Sequence, residues 1–164
     1  MIIVKEYHAE FSALLKAYYI WADEPIICSF CGCEKIIKKG WRKRGSIDHL
    51  ENSKILMVRR VRCKSCGKTH HVLPDTIVPY KHYNVDAVEK IIRGKADETF
   101  CNESEINRIK SWWFRMKLYV LEKVETAAKI AEAKLSPDSK LVIITRTLAN
   151  AHLWPSTRVA LGAV

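Results

Sequence analysis

Cys28-Ser-Phe-Cys31-Gly32 and Cys63-Lys-Ser-Cys66-Gly67 are one five-residue device used twice in a chain of 164 residues. Two thiolates separated by two residues reach one cation around a tight turn. A glycine straight after the second lets the backbone fold back with its amides aimed at the sulfurs. Two such knuckles supply four thiolates, enough to close a tetrahedral site for one Zn2+ with no position left for water. The expected ion is therefore structural and not catalytic. Cys33 lies past the turn glycine and reads as a spare thiol, and Cys101 is isolated. His70 and His71 follow Cys66 closely enough to replace a sulfur, yet neighbours on a strand point to opposite faces.

The second chemistry is cationic. Between Lys35 and Lys68 stand twelve Lys or Arg residues against Asp48 and Glu51 alone, so this segment carries the whole net charge of +10. A balanced body with one strongly basic module predicts a face for a polyanion. The candidate contacts on it are Lys38, Lys39, Arg42, Lys43, Arg44, Arg59, Arg60, Arg62 and Lys64. A solvated basic surface without a partner is the plainer alternative. Trp41 sits among these cations and reads either as a base-stacking residue or as a strand tryptophan supporting a small core.

These groups need elements to hold them. "KIIKKGWRKR" and "KILMVRRVRC" read as strands joined by "GSIDHLENS", with "THHVLP" as a short third strand. Together residues 26–74 form a small antiparallel zinc ribbon. Ahead of it, residues 1–25 hold a short extended start and then "AEFSALLKAYY", where Phe11, Leu14, Leu15, Tyr18 and Tyr19 recur at helical spacing. Residues 75–83 form an ordered linker with two prolines nearby, Pro74 and Pro79. From Asn84 the pattern is helical, with an apolar face of Val85, Val88, Ile91 and Ile92 stopped by Gly94. Asn102 and Glu105 make a capping box. Behind it Ile106, Ile109, Trp113, Met116, Val120, Val124, Ala127 and Ala131 form one helical stripe. Ser136 and Pro137 signal a stop and a new start, and a last helix runs to about Asn150. The prediction is an α+β chain: a β ribbon followed by a mainly helical, helix-turn-helix-like domain over residues 84–164. No apolar run reaches the roughly 18 residues of a membrane span, and "MIIVKEYHAEF" does not read as a signal peptide, so a cytoplasmic protein is expected. In such a reducing compartment, closely spaced cysteines serve metals sooner than disulfides.

"CSFCGCEKIIKKGWRKR" followed by "VRRVRCKSCGKTHHVLP" resembles the amino-terminal zinc ribbon of many bacterial insertion-sequence transposases. It is most similar to small bacterial proteins in which a ribbon is followed by "VLP", a "PY" turn and a helix-turn-helix-like region. Those pieces are here Val72-Leu73-Pro74, Pro79-Tyr80 and residues 84 to about 120. Ser29 stands where a knuckle proline is common, and His70-His71 where an aromatic is usual. The resemblance implies double-stranded DNA as partner, with the ribbon on phosphates and a helix in the major groove. The groove candidate is Glu103 to Lys117, where Arg108 and Arg115 share a face with Lys110, Ser111 and Lys117 to either side. An ordinary amphipathic helix with a charged outer face fits the same residues.

No strand-borne carboxylate cluster, Gly-rich phosphate loop or Ser-His-Asp set is present, so a non-enzymatic protein is expected. Two further readings differ in kind. The near-heptad stripe allows a homodimer or scaffold through residues 106–131. The basic strands and Trp41 allow RNA or single strands. A ribbon this small needs its ion, so removing the metal is expected to unfold residues 26–74 and to spare the helices.

Overall fold

A computed structural model describes residues 1–131 and 139–155. The fold is α+β. Its strands are β1 (Ile2–Val4), β2 (Tyr7–Ser12), β3 (Ala17–Ala22), β4 (Ile36–Ile47), β5 (Ser53–Cys63) and β6 (Thr69–Pro74). The helices are α1 (Val85–Ile92), α2 (Glu103–Ala131) and α3 (Leu141–Asn150), with a 3₁₀ turn at Ala96–Glu98.

All these strands belong to one curled sheet. β5 pairs antiparallel with β4 from Ser53 to Cys63. Its other edge is shared: β3 runs parallel at Leu56 and Met57, and β6 runs antiparallel from Arg59 to Arg62. β1 adds to β6 in parallel, and β2 adds to β3. A bulge between Lys38 and Trp41 sets two residues of β4 against Arg60, which bends the sheet there. Near β1 and β6 both faces are buried. Ile3, Ile20, Leu56, Val58 and Leu73 pack on one side with Ile77 and Ala149, and Ile2, Val4, Val61 and Val72 on the other.

The ribbon strands and the third strand lie where the sequence predicts. The helix expected over "AEFSALLKAYY" does not form; β2 and β3 make an antiparallel hairpin, Tyr7 opposite Ala22 through Ser12 opposite Ala17. A short apolar run interrupted by a hairpin tip mimics a helical period. Leu14 marks the difference, since at the tip it is 92% exposed instead of buried on a helix face. Aromatic residues favour a pleated surface, and Tyr19 and Trp21 reach over β5 to meet Trp41 edge-on at 4.7 and 4.9 Å between centroids.

Residues 75–83, the expected linker, do more than connect. Ile77 packs with the sheet, while Val78 and Tyr83 pack with α1, Ile109 and Leu141. Ile47 N–H donates to His82 O at 2.8 Å and Asn84 N–H donates to Ile47 O at 2.9 Å, which ties the segment to the end of β4. α3 is fastened to the sheet by Asn150, whose Oδ1 accepts from Ile3 N–H at 2.8 Å and whose Nδ2 donates to Ile3 O at 2.9 Å.

The caps are those predicted. Asn84 Oδ1 accepts from Ala87 N–H at 2.9 Å, and α1 ends at Ile92 with Arg93 as its C-cap, just before Gly94. Asn102 Oδ1 accepts from Glu105 N–H, and Glu105 Oε2 from Asn102 N–H. Along the stripe of α2, Ile109 packs on α1, and Met116, Val120 and Ala127 pack with Ile144 and Leu148 of α3. The side chains of Val124 and Ala131, and the boundary at Ser136 and Pro137, lie outside the described residues. α1 and α2 are joined by the ten residues 93–102, longer than the three- or four-residue turn of a helix-turn-helix. No helix among the described residues is long and apolar enough to cross a membrane.

Candidate metal centre and basic surface

The two knuckles have the same backbone. Cys28 N–H donates to Cys33 O at 3.0 Å and Gly32 N–H to Cys28 O at 2.9 Å. In the second, Cys63 N–H donates to Lys68 O at 2.9 Å and Gly67 N–H to Cys63 O at 3.1 Å. Gly32 and Gly67 stand at φ +69 and +71, the left-handed region that a side chain would strain. These turns bring the sulfurs of Cys28, Cys31, Cys63 and Cys66 within 4.8 Å of one another. Cys28 Sγ is 3.6 Å from Cys66 Sγ, and Cys31 Sγ is 3.6 Å from Cys63 Sγ. Four thiolates around one ion with bonds of about 2.3 Å stand roughly 3.8 Å apart, so the set is spaced to hold a metal.

Their electrostatics fit a cation. At Cys63 the amides of Cys66 and then Ser65 outweigh burial and lower the thiol. At Cys28 burial works to raise it, but the amides of Phe30 and Cys31 prevail. Cys31 goes the other way. The Cys33 amide lowers it, but desolvation and the three neighbouring sulfurs push it up to about 12. One thiol thus resists ionising beside the others, and a bound divalent cation reverses that by deprotonating a coordinating thiol outright.

Two groups surround the sulfurs without joining them. His70 is only 3% exposed, with Nε2 at 3.3 Å from Cys28 Sγ and Nδ1 at 3.4 Å from Ser29 Oγ. Burial, with help from the N-terminal ammonium and other nearby cations, lowers its pKa to about 4. A neutral ring here shares a hydrogen bond with a sulfur and steadies it from outside. Cys33 Sγ accepts from Ser65 Oγ at 3.0 Å and so links one knuckle to the other.

A family model described as "Domain of unknown function (DUF6431)" matches residues 28–112, from the first sulfur into the first third of α2. The chain belongs to that family. The family's region therefore holds both knuckles, the ribbon strands, the 75–83 segment and α1. No curated protein and no solved structure matches the chain.

Within that region the pleat divides the cations between two faces. Arg42 lies opposite Val58 and Arg44 opposite Leu56, on one face; Trp41 lies opposite Arg59, on the other. His71 is opposite Arg60 and His70 opposite Val61. So the adjacent histidines part, His70 to the sulfurs and His71 to the arginines. Burial lowers the pKa of His71, and the charges of Arg42, Arg44 and Arg60 lower it further.

Three expected contacts on nucleic acid are engaged within the fold. Arg44 Nη2 donates to Val78 O at 2.9 Å and Lys81 O at 3.0 Å, holding the 75–83 segment. The Arg59 guanidinium lies 3.7 Å from the centre of the Trp41 ring and 4.7 Å from that of Trp21. Trp41 is thereby covered on one face and edged by Tyr19 and Trp21, which fits the strand-tryptophan reading over base stacking. Lys38, Lys39, Arg42, Lys43, Arg60, Arg62 and Lys64 are exposed, though Arg62 Nε also donates to Gly67 O at 3.1 Å.

On α2, Arg108, Lys110, Arg115 and Lys117 are exposed but do not share one face. Two residues of helix turn about 200°, so Lys110 and Lys117 lie across the helix from Arg108 and Arg115. Lys117 lines a separate hollow with Ile92, Arg93 and Lys95. Arg108 and Arg115 face Lys81, whose Nζ lies 4.3 Å from the centre of the Trp112 ring. Burial first, then those two arginines, lower the pKa of Lys81 to about 8. Lys81 thus joins the arginines of the sheet to those of the helix. A single lysine in a linker carries no such sign in the sequence, because both its neighbourhoods are long-range.

Proposed function

We propose that the chain is a non-enzymatic DNA-binding module clamped by one structural Zn2+. Duplex is taken on the surface running from Arg60 and Arg42 across Lys81 to Arg108 and Arg115. The observation that carries this reading is the convergence on Lys81: cations from β4 and α2, separated in sequence, meet around one half-buried lysine. Zn2+ is favoured by an all-sulfur donor set at tetrahedral spacing. Four sulfurs fill such a sphere, so the ion shapes the face and performs no reaction. A targeting module of a transposase-like protein, or a small regulator, is the role that the sequence resemblance implies. Pairing through residues 106–131 has less support, because Ile109, Met116, Val120 and Ala127 are already buried within the fold.

A salt titration of duplex affinity tests the reading. With about six phosphates neutralised, the log-log slope should be about −5. Affinity that is flat in salt overturns it. Tighter binding to the matching single strand, with quenched tryptophan fluorescence, would transfer the surface to single-stranded nucleic acid.

A further inference from the structure

Between the arginine face of the sheet and the turn at residues 78–81 lies a pocket of about 330 Å³. Val58 and Leu73 give it an apolar floor; Arg42, Arg44, His71 and Lys81 line it, with Tyr80 at the rim. No carboxylate is among the lining residues. Several basic groups around one hollow repel one another and lose hydration, so folding alone does not favour gathering them without a counter-charge. Arg44 is held by the carbonyls of Val78 and Lys81, and its Nε is buried with no acceptor among the described residues. The wall is therefore built and fixed, and an anion would supply what it lacks.

The rim carries a second, independent sign. Lys81 N–H donates to Val78 O at 3.1 Å, closing a turn with Pro79 second and Tyr80 third. Tyr80 has φ +62, where such a turn ordinarily has glycine. A bulky aromatic in that conformation is strained, and about half of the Tyr80 side chain is left exposed. A strained, half-exposed aromatic beside cations and an apolar floor suits a ligand with both a phosphate and a planar organic part.

We infer that this pocket binds a nucleotide-sized phosphomonoester, its phosphate on Arg42, His71 and Lys81 and its organic part against Tyr80, Val58 and Leu73. A terminal phosphate is favoured over an internal one on two grounds. It carries about −1.5 to −2 charges at neutral pH. It also fits within a recess, whereas an internal phosphodiester is flanked by a sugar on both sides. The ligand is a free nucleoside monophosphate or the phosphorylated end of a strand. This goes beyond the duplex reading and does not rest on it, because a chain without duplex affinity would still hold the pocket.

Calorimetry with the full chain tests it, using adenosine 5′-monophosphate, adenosine, and blunt duplexes with 5′-phosphate or 5′-hydroxyl ends. The monophosphate should bind and adenosine should not. Arg42→Gln and Lys81→Gln should each weaken the monophosphate about tenfold or more. Lys38→Gln with Lys39→Gln should leave it unchanged. Arg42 is exposed, so its variant keeps the fold even if Lys81→Gln does not. Preference for the 5′-phosphate duplex identifies the strand end as the source; equal duplexes with a bound monophosphate identify the free nucleotide. No binding of the monophosphate, or binding indifferent to Arg42→Gln and Lys81→Gln, overturns the inference. Duplex affinity is judged on the 5′-hydroxyl ends alone, so failure there bears only on the duplex reading.

Discussion

At the scale of residues, the sulfurs separate into candidate ligands and supports. Cys28, Cys31, Cys63 and Cys66 lie within 4.8 Å of one another, while Cys33 accepts a hydrogen bond from Ser65. Cys31→Ser should lose its metal on dialysis, whereas Cys33→Ser should keep one ion per chain, measured as metal content. The opposite pattern would move the ligand set one knuckle position along. This division was legible because Cys63-x-x-Cys66-Gly67 repeats Cys28-x-x-Cys31-Gly32 and leaves Cys33 without a counterpart. The hydrogen bond between His70 and Cys28 was not, since a pair of adjacent histidines leaves open which one faces the sulfurs. That depended on the register of β6 against β5.

At the scale of elements, α2 is one helix with cations on two sides. Arg108 and Arg115 stand with Lys81, and Lys117 stands with Arg93 and Lys95. Replacing Arg108 and Arg115 by Gln should lower duplex affinity and flatten the salt slope by about 2. Replacing Lys110 and Lys117 by Gln should change both far less. Equal losses from the two pairs would mean that DNA wraps the helix or avoids it. Helix periodicity alone separates the pairs by about 200°, but it does not say which pair meets a basic neighbour. The N-terminal hairpin shows the converse limit. Phe11, Leu14, Leu15, Tyr18 and Tyr19 satisfy a helical spacing, yet Trp41 and Leu56 decide for strands by offering partners.

At the scale of the whole molecule, the ribbon and the helices share their cores. Ile77 belongs to the sheet and its neighbour Val78 to the helices, and Ala149 of α3 packs on the sheet beside them. Asn150 fixes α3 to β1, and His49 Nδ1 meets Asp86 Oδ2 at 2.6 Å between the β4–β5 loop and α1. Binding of zinc to four thiolates supplies on the order of 10 kcal/mol, comparable to the whole stability of a domain. Loss of the ion should therefore unfold sheet and helices together, in place of the ribbon alone. Circular dichroism with a chelator checks this: the near-UV tryptophan signal and the far-UV helical signal should fall in one transition. A helical signal that survives chelation would mean that α1, α2 and α3 stand without the sheet.

What the sequence by itself determined is what short-range chemistry encodes. Knuckle spacing chose the sulfurs, Asn84 and Asn102 chose the helix starts, and short β-like runs bounded by turn signals chose the ribbon strands. What only the tertiary structure decided is which distant groups become neighbours. Arg59 stacks on Trp41, Arg44 holds the carbonyl of Lys81, and Lys81 in turn faces Arg108 and Arg115. A cation's role depends on what lies across the sheet or the turn from it. Those partners are set by register and packing, which no local pattern carries.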